Sequence, residues 1–176
     1  PYLTMPTLAY HEAIPGHHLQ IALASELEQV ALFQRIAGFT GYIEGWGLYA
    51  ETVAFENGWF DDVFGELGYL QFQAFRAARL VIDSGIHTGS MSYNEAVSFF
   101  QQNVGFSAAT ARGQVGRYMS WPGQATAYYI GQLELLDLRA QEQNRLGTEF
   151  DLREFHSVVL QQGALPLEVL RARFAL

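Results

Sequence analysis

Apolar side chains recur every three or four residues along almost the whole chain, and strand-like alternation is nearly absent. This spacing lines one face of an α-helix with apolar groups. Positions rich in Gly, Pro and Asn interrupt it, as is typical of helix ends. The pattern predicts an all-α fold, a single multi-helix domain over residues 1–176, with helical segments at 8–37, 41–57, 62–86, 92–103, 107–119, 123–145, 151–161 and 166–174.

Two helix starts carry specific signals. Ser92 followed by Glu95 just before an apolar run is the pattern of a capping box. Asp151 stands where its carboxylate can accept hydrogen bonds from the first turn of the segment that follows. Both residues predict where a helix begins.

Composition limits the class of partner. The formal net charge is −8, which argues against nucleic acid or an acidic membrane surface. No run of eighteen apolar residues predicts a membrane span. Cysteine is absent, so thiol chemistry is excluded and the cellular compartment stays open.

The string that starts His11-Glu12 and reaches His17-His18 concentrates three imidazoles and a carboxylate in eight residues. Imidazoles suit Zn²⁺, and a neighbouring Glu can act as general base. In a regular helix His17 would lie roughly 120° from the face of His11. Because Pro15 disfavours helical geometry before it, we expect a Pro-Gly bulge to bring His17 to the position of an i+4 ligand. Two alternatives remain: His18 as second ligand, or a helix start with solvated His side chains.

A second segment supplies acids within an apolar and aromatic stretch. Glu44 and Glu51 are seven residues apart, and a buried carboxylate needs a partner or a metal. Two His and one Glu form an established catalytic zinc set, which makes Glu44 the candidate third ligand. Glu51, Gln20 and His18 are candidates for contacts that orient the ligands. Alternatively, both acids face solvent.

These residues resemble the bacterial DUF885 family, which is similar to zinc metallopeptidases of the gluzincin type with two His ligands and one Glu. The resemblance spans nearly the whole chain in order. It is carried by the residues His11-Glu12-x-x-Pro15-Gly16-His17-x-x-Gln20, Glu44-Gly45-Trp46-x-Leu48-Tyr49-x-Glu51, Arg76-Ala77-x-Arg79-Leu80-Val81-x-Asp83-x-Gly85-Ile86-His87, Arg117-Tyr118-x-x-Trp121-Pro122-Gly123-Gln124-Ala125-x-Ala127-Tyr128-x-Ile130-Gly131, Phe150-Asp151-Leu152-Arg153-Glu154-Phe155-His156 and Gly163-Ala164-Leu165-Pro166-Leu167.

The resemblance implies zinc-dependent hydrolysis of a peptide or small amide substrate by an all-helical protein. Because family members are much longer, it also implies that the chain is the C-terminal catalytic portion of such a protein. We then expect it to pack on an N-terminal part that forms the other side of a substrate-binding cleft.

Arg79, Asp83 and His87 follow at intervals of four, which forms one row along a helix. Each can contact the next, and an acid that holds a His fixes its tautomer. His87 could then donate a hydrogen bond to the oxyanion of the reaction. The alternative is a structural ion pair with a polar His at the helix end.

Two further side chains could contact substrate. Tyr128 matches the family pattern and could support the oxyanion. The guanidinium group of Arg117 could bind a substrate carboxylate through two hydrogen bonds, although a structural contact within the protein is the favoured interpretation.

The sequence therefore predicts that His11, His17 and Glu44 bind Zn²⁺ and that Glu12 takes the proton of the attacking water. Two rival functions stay open. One is a non-catalytic helical module whose metal site is structural or vestigial. The other is a metal-dependent hydrolase of non-peptide amides or esters.

Overall fold

A computed structural model describes residues 2–174 of the chain. The predicted all-α fold is confirmed: the model is 79% helical, without strands among the described residues, and forms a single domain. The range 1–176 also contains Pro1, Ala175 and Leu176, which lie outside the described residues. A 3-10 turn at Tyr2–Thr4 precedes the helices α1 Met5–Glu12, α2 His17–Glu26, α3 Leu32–Ile36, α4 Thr40–Glu56, α5 Val63–His87, α6 Tyr93–Val104, α7 Ala108–Ser120, α8 Gln124–Leu146, α9 Leu152–Leu160 and α10 Leu167–Phe174.

None of these helices has the combination of length and apolar character that a membrane crossing requires.

The prediction of one helical segment over 8–37 is wrong, because three helices occupy it. Residues 13–16 leave the helix between α1 and α2, as expected where Pro15 lacks an N–H and constrains Ile14. Residues 27–31 form a second break, with Leu27 in an extended conformation. That break contains no Gly or Pro, and its apolar residues continue the helical spacing, so periodicity alone could not detect it.

Both predicted caps are confirmed. The Ser92 hydroxyl oxygen accepts a hydrogen bond from Glu95 N at 3.3 Å, and the Glu95 carboxylate accepts one from Ser92 N at 2.8 Å. The Asp151 carboxylate accepts from Arg153 N at 2.7 Å. Side chains therefore satisfy backbone N–H groups that the first turns of α6 and α9 leave free.

Helix α4 is the central element, and it makes its most extensive contact with α8. Gly45 of α4 and Gly131 of α8 lie against each other, and a Cβ built on either would come within 2.6 Å of the other's backbone. Trp46, Tyr49 and Leu135 pack beside this crossing in the larger hydrophobic core. The position of α4 against α8 is thus set by backbone contact, which fixes how the side chains of the two helices meet.

Replacing Gly131 by Ala is expected to destabilise the protein by about 1–3 kcal/mol, because the new methyl group meets backbone that cannot move aside. The matched control is Gly113→Ala on α7, where a Cβ has open space and helix propensity predicts a gain of about 0.5–1 kcal/mol. Urea unfolding of both variants measures the difference. Equal stability of the two would show that the α4–α8 crossing is looser than described.

A second core lies between α5, α6 and α7, built around Phe75, Ile82, Phe100, Val115 and Tyr118. The N-terminal helices α1–α3 contribute little to either core. Over residues 2–38 the fully buried side chains are the polar ones Thr7, His11 and Gln20. Large apolar side chains of the same segment stay exposed, among them Met5, Ile14, Ile21, Phe33 and Ile36.

Candidate metal centre

His11, His17 and Glu44 come together at one place. His11 lies in the last turn of α1, His17 is the first residue of α2, and Glu44 lies in the second turn of α4. The Glu44 Oε2 atom is 3.3 Å from His17 Nε2 and 3.6 Å from His11 Nε2. One possible ligand atom from each residue lies within 4.8 Å of the other two. The break at residues 13–16 thus brings His17 to His11, while His18 is exposed and outside the cluster.

The other nitrogen of each ring has its own partner. His11 Nδ1 donates to Glu51 Oε1 at 2.7 Å, and His17 Nδ1 donates to Gln20 Oε1 at 3.2 Å. A proton on Nδ1 leaves the Nε2 lone pair of each ring directed at Glu44. Glu51 and Gln20 thus take the orienting positions expected of them, and such contacts typically fix the tautomer of a metal-binding His.

The donor set fits a zinc ion. Two imidazole lone pairs and a carboxylate oxygen repel one another at these distances unless a positive charge lies between them. A proton on one ring or a divalent cation can supply it. Two His nitrogens and one Glu oxygen form a set that binds zinc and leaves a position for water. Within residues 2–174 no fourth ligand joins this cluster.

Burial and hydrogen bonding set the charge of the two acids. Burial alone would raise the pKa of Glu44, but the neighbouring His11, His17 and Tyr128 side chains outweigh it and hold that pKa well below its usual range. Burial raises the pKa of Glu51 despite its contact with His11. For His11, the two carboxylates outweigh burial and raise the pKa. The cluster is therefore a strongly polarised site in which Glu44 is ionised.

Gly47 of α4 makes room for both imidazoles. A Cβ at this position would lie 2.7 Å from His11 Cε1 and 2.9 Å from His17 Cε1. Gly45 serves a different purpose, because it lets α4 approach α8, whereas Gly47 gives the two imidazole rings their space.

Replacing Glu51 by Gln is expected to weaken metal affinity by about 10–100-fold, because His11 loses the carboxylate that raises its basicity. The matched control is Glu56→Gln on the same helix, where the carboxylate pairs with Arg139 near the surface. Competition with a chromophoric chelator measures both affinities. Equal affinity of Glu51→Gln and the unsubstituted protein would exclude this role for Glu51.

Glu12 follows His11 directly at the end of α1, and its side chain is exposed. No side chain in the described part of the chain forms an ion pair or hydrogen bond with it, so its carboxylate is free to accept a proton.

Tyr128 of α8 links the cluster to two buried arginines of α5. Its ring stacks on the His11 ring at 6.3 Å, and the guanidinium carbons of Arg76 and Arg79 lie 4.7 and 4.5 Å from its centre. Sequence reasoning did not single out Arg76. Its signal was present: Arg76 and Arg79 lie three residues apart, so they share one face of a helix with apolar and aromatic residues.

The predicted row Arg79–Asp83–His87 forms only in part. His87 Nδ1 lies 3.0 Å from Asp83 Oδ1. The predicted contact between Arg79 and Asp83 is wrong: among the described residues Arg79 donates to Tyr118 and Gln114, while Asp83 accepts from Gly123 N at 3.0 Å. Asp83 therefore anchors the turn before α8, and the guanidinium of Arg79 turns towards aromatic rings. His87 lies outside the metal cluster.

Arg117 makes a structural contact at the start of α8. It donates to Gln124 Oε1 at 2.9 Å, and its guanidinium lies 5.9 Å from the centre of the Trp121 ring. This is the anchoring position that the sequence analysis favoured, with an amide in place of an acid.

Fold and site together define a helical protein with a convergent cluster of two His and one Glu. Residues 1–174 match the model of the family described as bacterial protein of unknown function (DUF885), and the chain belongs to that family. None of the curated proteins matches the chain.

Two solved structures are similar over almost the whole chain. One is "the putative lipoprotein from Colwellia psychrerythraea", which is 45% identical with a TM-score of 0.96 and is matched by 99% of this chain. The other is "a putative lipoprotein of unknown function from Shewanella oneidensis", which is 28% identical with a TM-score of 0.89 and is matched by 97%. The chain spans 30% and 31% of the length of these relatives.

Proposed function

We propose that this chain carries the zinc centre and the general base of a hydrolase that cleaves peptide bonds. The observation that carries the proposal is the convergence of His11 Nε2, His17 Nε2 and the Glu44 carboxylate, with both Nδ1 atoms held by other residues. Three donors instead of four favour a catalytic over a structural zinc site.

His11, His17 and Glu44 would hold the ion. Zinc bound there would lower the pKa of a coordinated water and polarise a carbonyl. Glu12, adjacent to a ligand and free of partners, accepts the proton when water attacks the peptide carbonyl carbon. It then passes that proton to the amine nitrogen as the C–N bond breaks, which leaves a carboxylate and an amine.

Tyr128 is the candidate donor to the oxyanion. Its ring stacks on His11, and its side chain helps to lower the pKa of Glu44, so the phenol lies near the proposed metal position. A donor held in this way stabilises negative charge that develops on the carbonyl oxygen. His87 lies outside the cluster and is the weaker candidate for this role.

Metal analysis of the freshly purified full-length protein tests the proposal. We expect about one zinc per chain and hydrolysis of a panel of blocked and free-ended peptides. A chelator should abolish the hydrolysis, and added zinc should restore it. Hydrolysis that survives complete zinc removal would refute the proposal. Cleavage of ester or non-peptide amide substrates alone would keep the zinc centre and replace the substrate class.

A further inference from the structure

Arg76 is a buried cation whose hydrogen-bond donors have no partner. The residue is 6% exposed, and its Nε atom is fully buried without an acceptor. Among the described residues no side chain or carbonyl accepts a hydrogen bond from its guanidinium, and no carboxylate pairs with it. A buried charge without such partners is costly, so an isolated guanidinium in this position indicates an anion that binds to it.

Arg79 adds a second positive charge at the same place. It is 2% exposed, and its Nη1 atom is also buried without an acceptor. Its guanidinium lies over the Phe75 ring at 4.2 Å, and the guanidinium of Arg76 lies over the same ring at 4.7 Å. Tyr118 and Gln114 hold Arg79 from its other side. Arg79 is therefore a fixed second cation beside Arg76, and both guanidinium groups keep donors without an acceptor.

A single ring separates this pair from the metal cluster. Tyr128 lies under both guanidiniums and stacks on His11. An anionic group on Arg76 would thus lie beside a carbonyl placed at the cluster. Successive Cα atoms of a peptide are about 3.8 Å apart, so the group falls within one or two residues of the bond to be cut.

We propose that Arg76, supported by Arg79, binds the C-terminal carboxylate of the substrate, so that the hydrolase acts as a carboxypeptidase that releases one or two C-terminal residues. This inference rests on the proposed function for its reaction, but the anion site itself does not. The planar guanidinium group of Arg can form two parallel hydrogen bonds with a carboxylate, which suits the binding of a peptide C-terminus.

A structural role for Arg76 is the competing explanation. Glu51 Oε2 is buried without a partner as well, and Arg76 lies close enough to act on Glu51 electrostatically. If Arg76 only balances Glu51, its loss would weaken metal binding and hydrolysis of all peptides alike. If it binds the substrate, its loss lowers the cleavage of peptides with a free carboxylate more than the cleavage of their amides.

The activity test compares a peptide that has a free C-terminus with its C-terminal amide. The full-length protein should cleave the free peptide with a kcat/KM roughly 100-fold higher, as expected for a charged two-bond contact. Arg76→Gln should remove this preference, so that the free peptide is cleaved no faster than its amide. Arg76→Lys keeps the charge without the planar guanidinium group and should keep part of the preference. The exposed Arg112→Gln is the control for loss of one positive charge.

A binding test separates this inference from the proposed function. Protein stripped of metal is titrated with N-acetyl-Ala-Ala and with its amide, followed by NMR. Binding of the carboxylate alone, lost in Arg76→Gln, supports the anion site even if no hydrolysis is ever found. Equal binding or equal cleavage of the two forms, or a preference that survives in Arg76→Gln, would overturn the inference.

Discussion

Hydrolysis by the Glu12→Gln variant is expected to fall by roughly 10²–10⁴-fold, the usual contribution of a general acid–base group. Gln has nearly the same shape as Glu but cannot take a proton from water. Among the described residues the Glu12 side chain forms no hydrogen bond or ion pair with His11, His17 or Glu44 and is not part of the cluster, so zinc content and stability should stay unchanged. Steady-state kinetics together with metal analysis of the same sample measures both.

The matched control for this substitution is Glu28→Gln, since Glu28 is also exposed and lies in the break between α2 and α3. It should retain full activity. Turnover of Glu12→Gln equal to that of the control would exclude Glu12 as the base. Loss of zinc in Glu12→Gln would instead place its carboxylate among the ligands.

The largest effect on metal affinity is expected from His17→Ala. It removes one of three metal-binding atoms, so zinc affinity should fall by more than the roughly 100-fold that is typical when a residue that only orients a ligand is lost. Hydrolysis should be lost with it. Equilibrium dialysis against buffered zinc measures the affinity. His18→Ala is an ideal comparison, because His18 is adjacent but exposed and outside the cluster.

These two histidines decide between the ligand alternatives that the sequence left open. His18→Ala should bind zinc as the unsubstituted protein does. A larger loss in His18→Ala than in His17→Ala would mean that the turn at residues 13–16 adopts another conformation when metal is bound.

Helix positions were largely predictable because they depend on local signals. Ser92 and Asp151 marked helix starts through side-chain caps, and apolar spacing located α4 to α10. The turn at residues 27–31 was not predictable, since its apolar residues continue the helical spacing. Helix α3, which follows it, is held by a distant part of the chain, since Gln34 donates a hydrogen bond to the carbonyl of Gln162.

The composition of the candidate site could be predicted from residue type, but its surroundings could not. His11, His17 and Glu44 had the chemistry of a ligand set, and Pro15 indicated the break that brings the two His together. The direction of Arg79 depends on Tyr118 and Tyr128, which lie far away in sequence. Spacing along one helix could suggest the Asp83 contact but could not weigh it against partners on α7.

The scarcity of buried apolar side chains in α1–α3 has a consequence for folding. Polar groups at the cluster and beside it help to attach this segment to α4, with His11 held by Glu51 and Gln20 reaching the carbonyl of Tyr42. A cation that joins His11 and His17 to Glu44 would therefore stabilise the docking of the first two helices more than the rest of the protein. Metal occupancy and the order of α1 and α2 would then be coupled, and the ion would act as a local folding cofactor as well as a reagent.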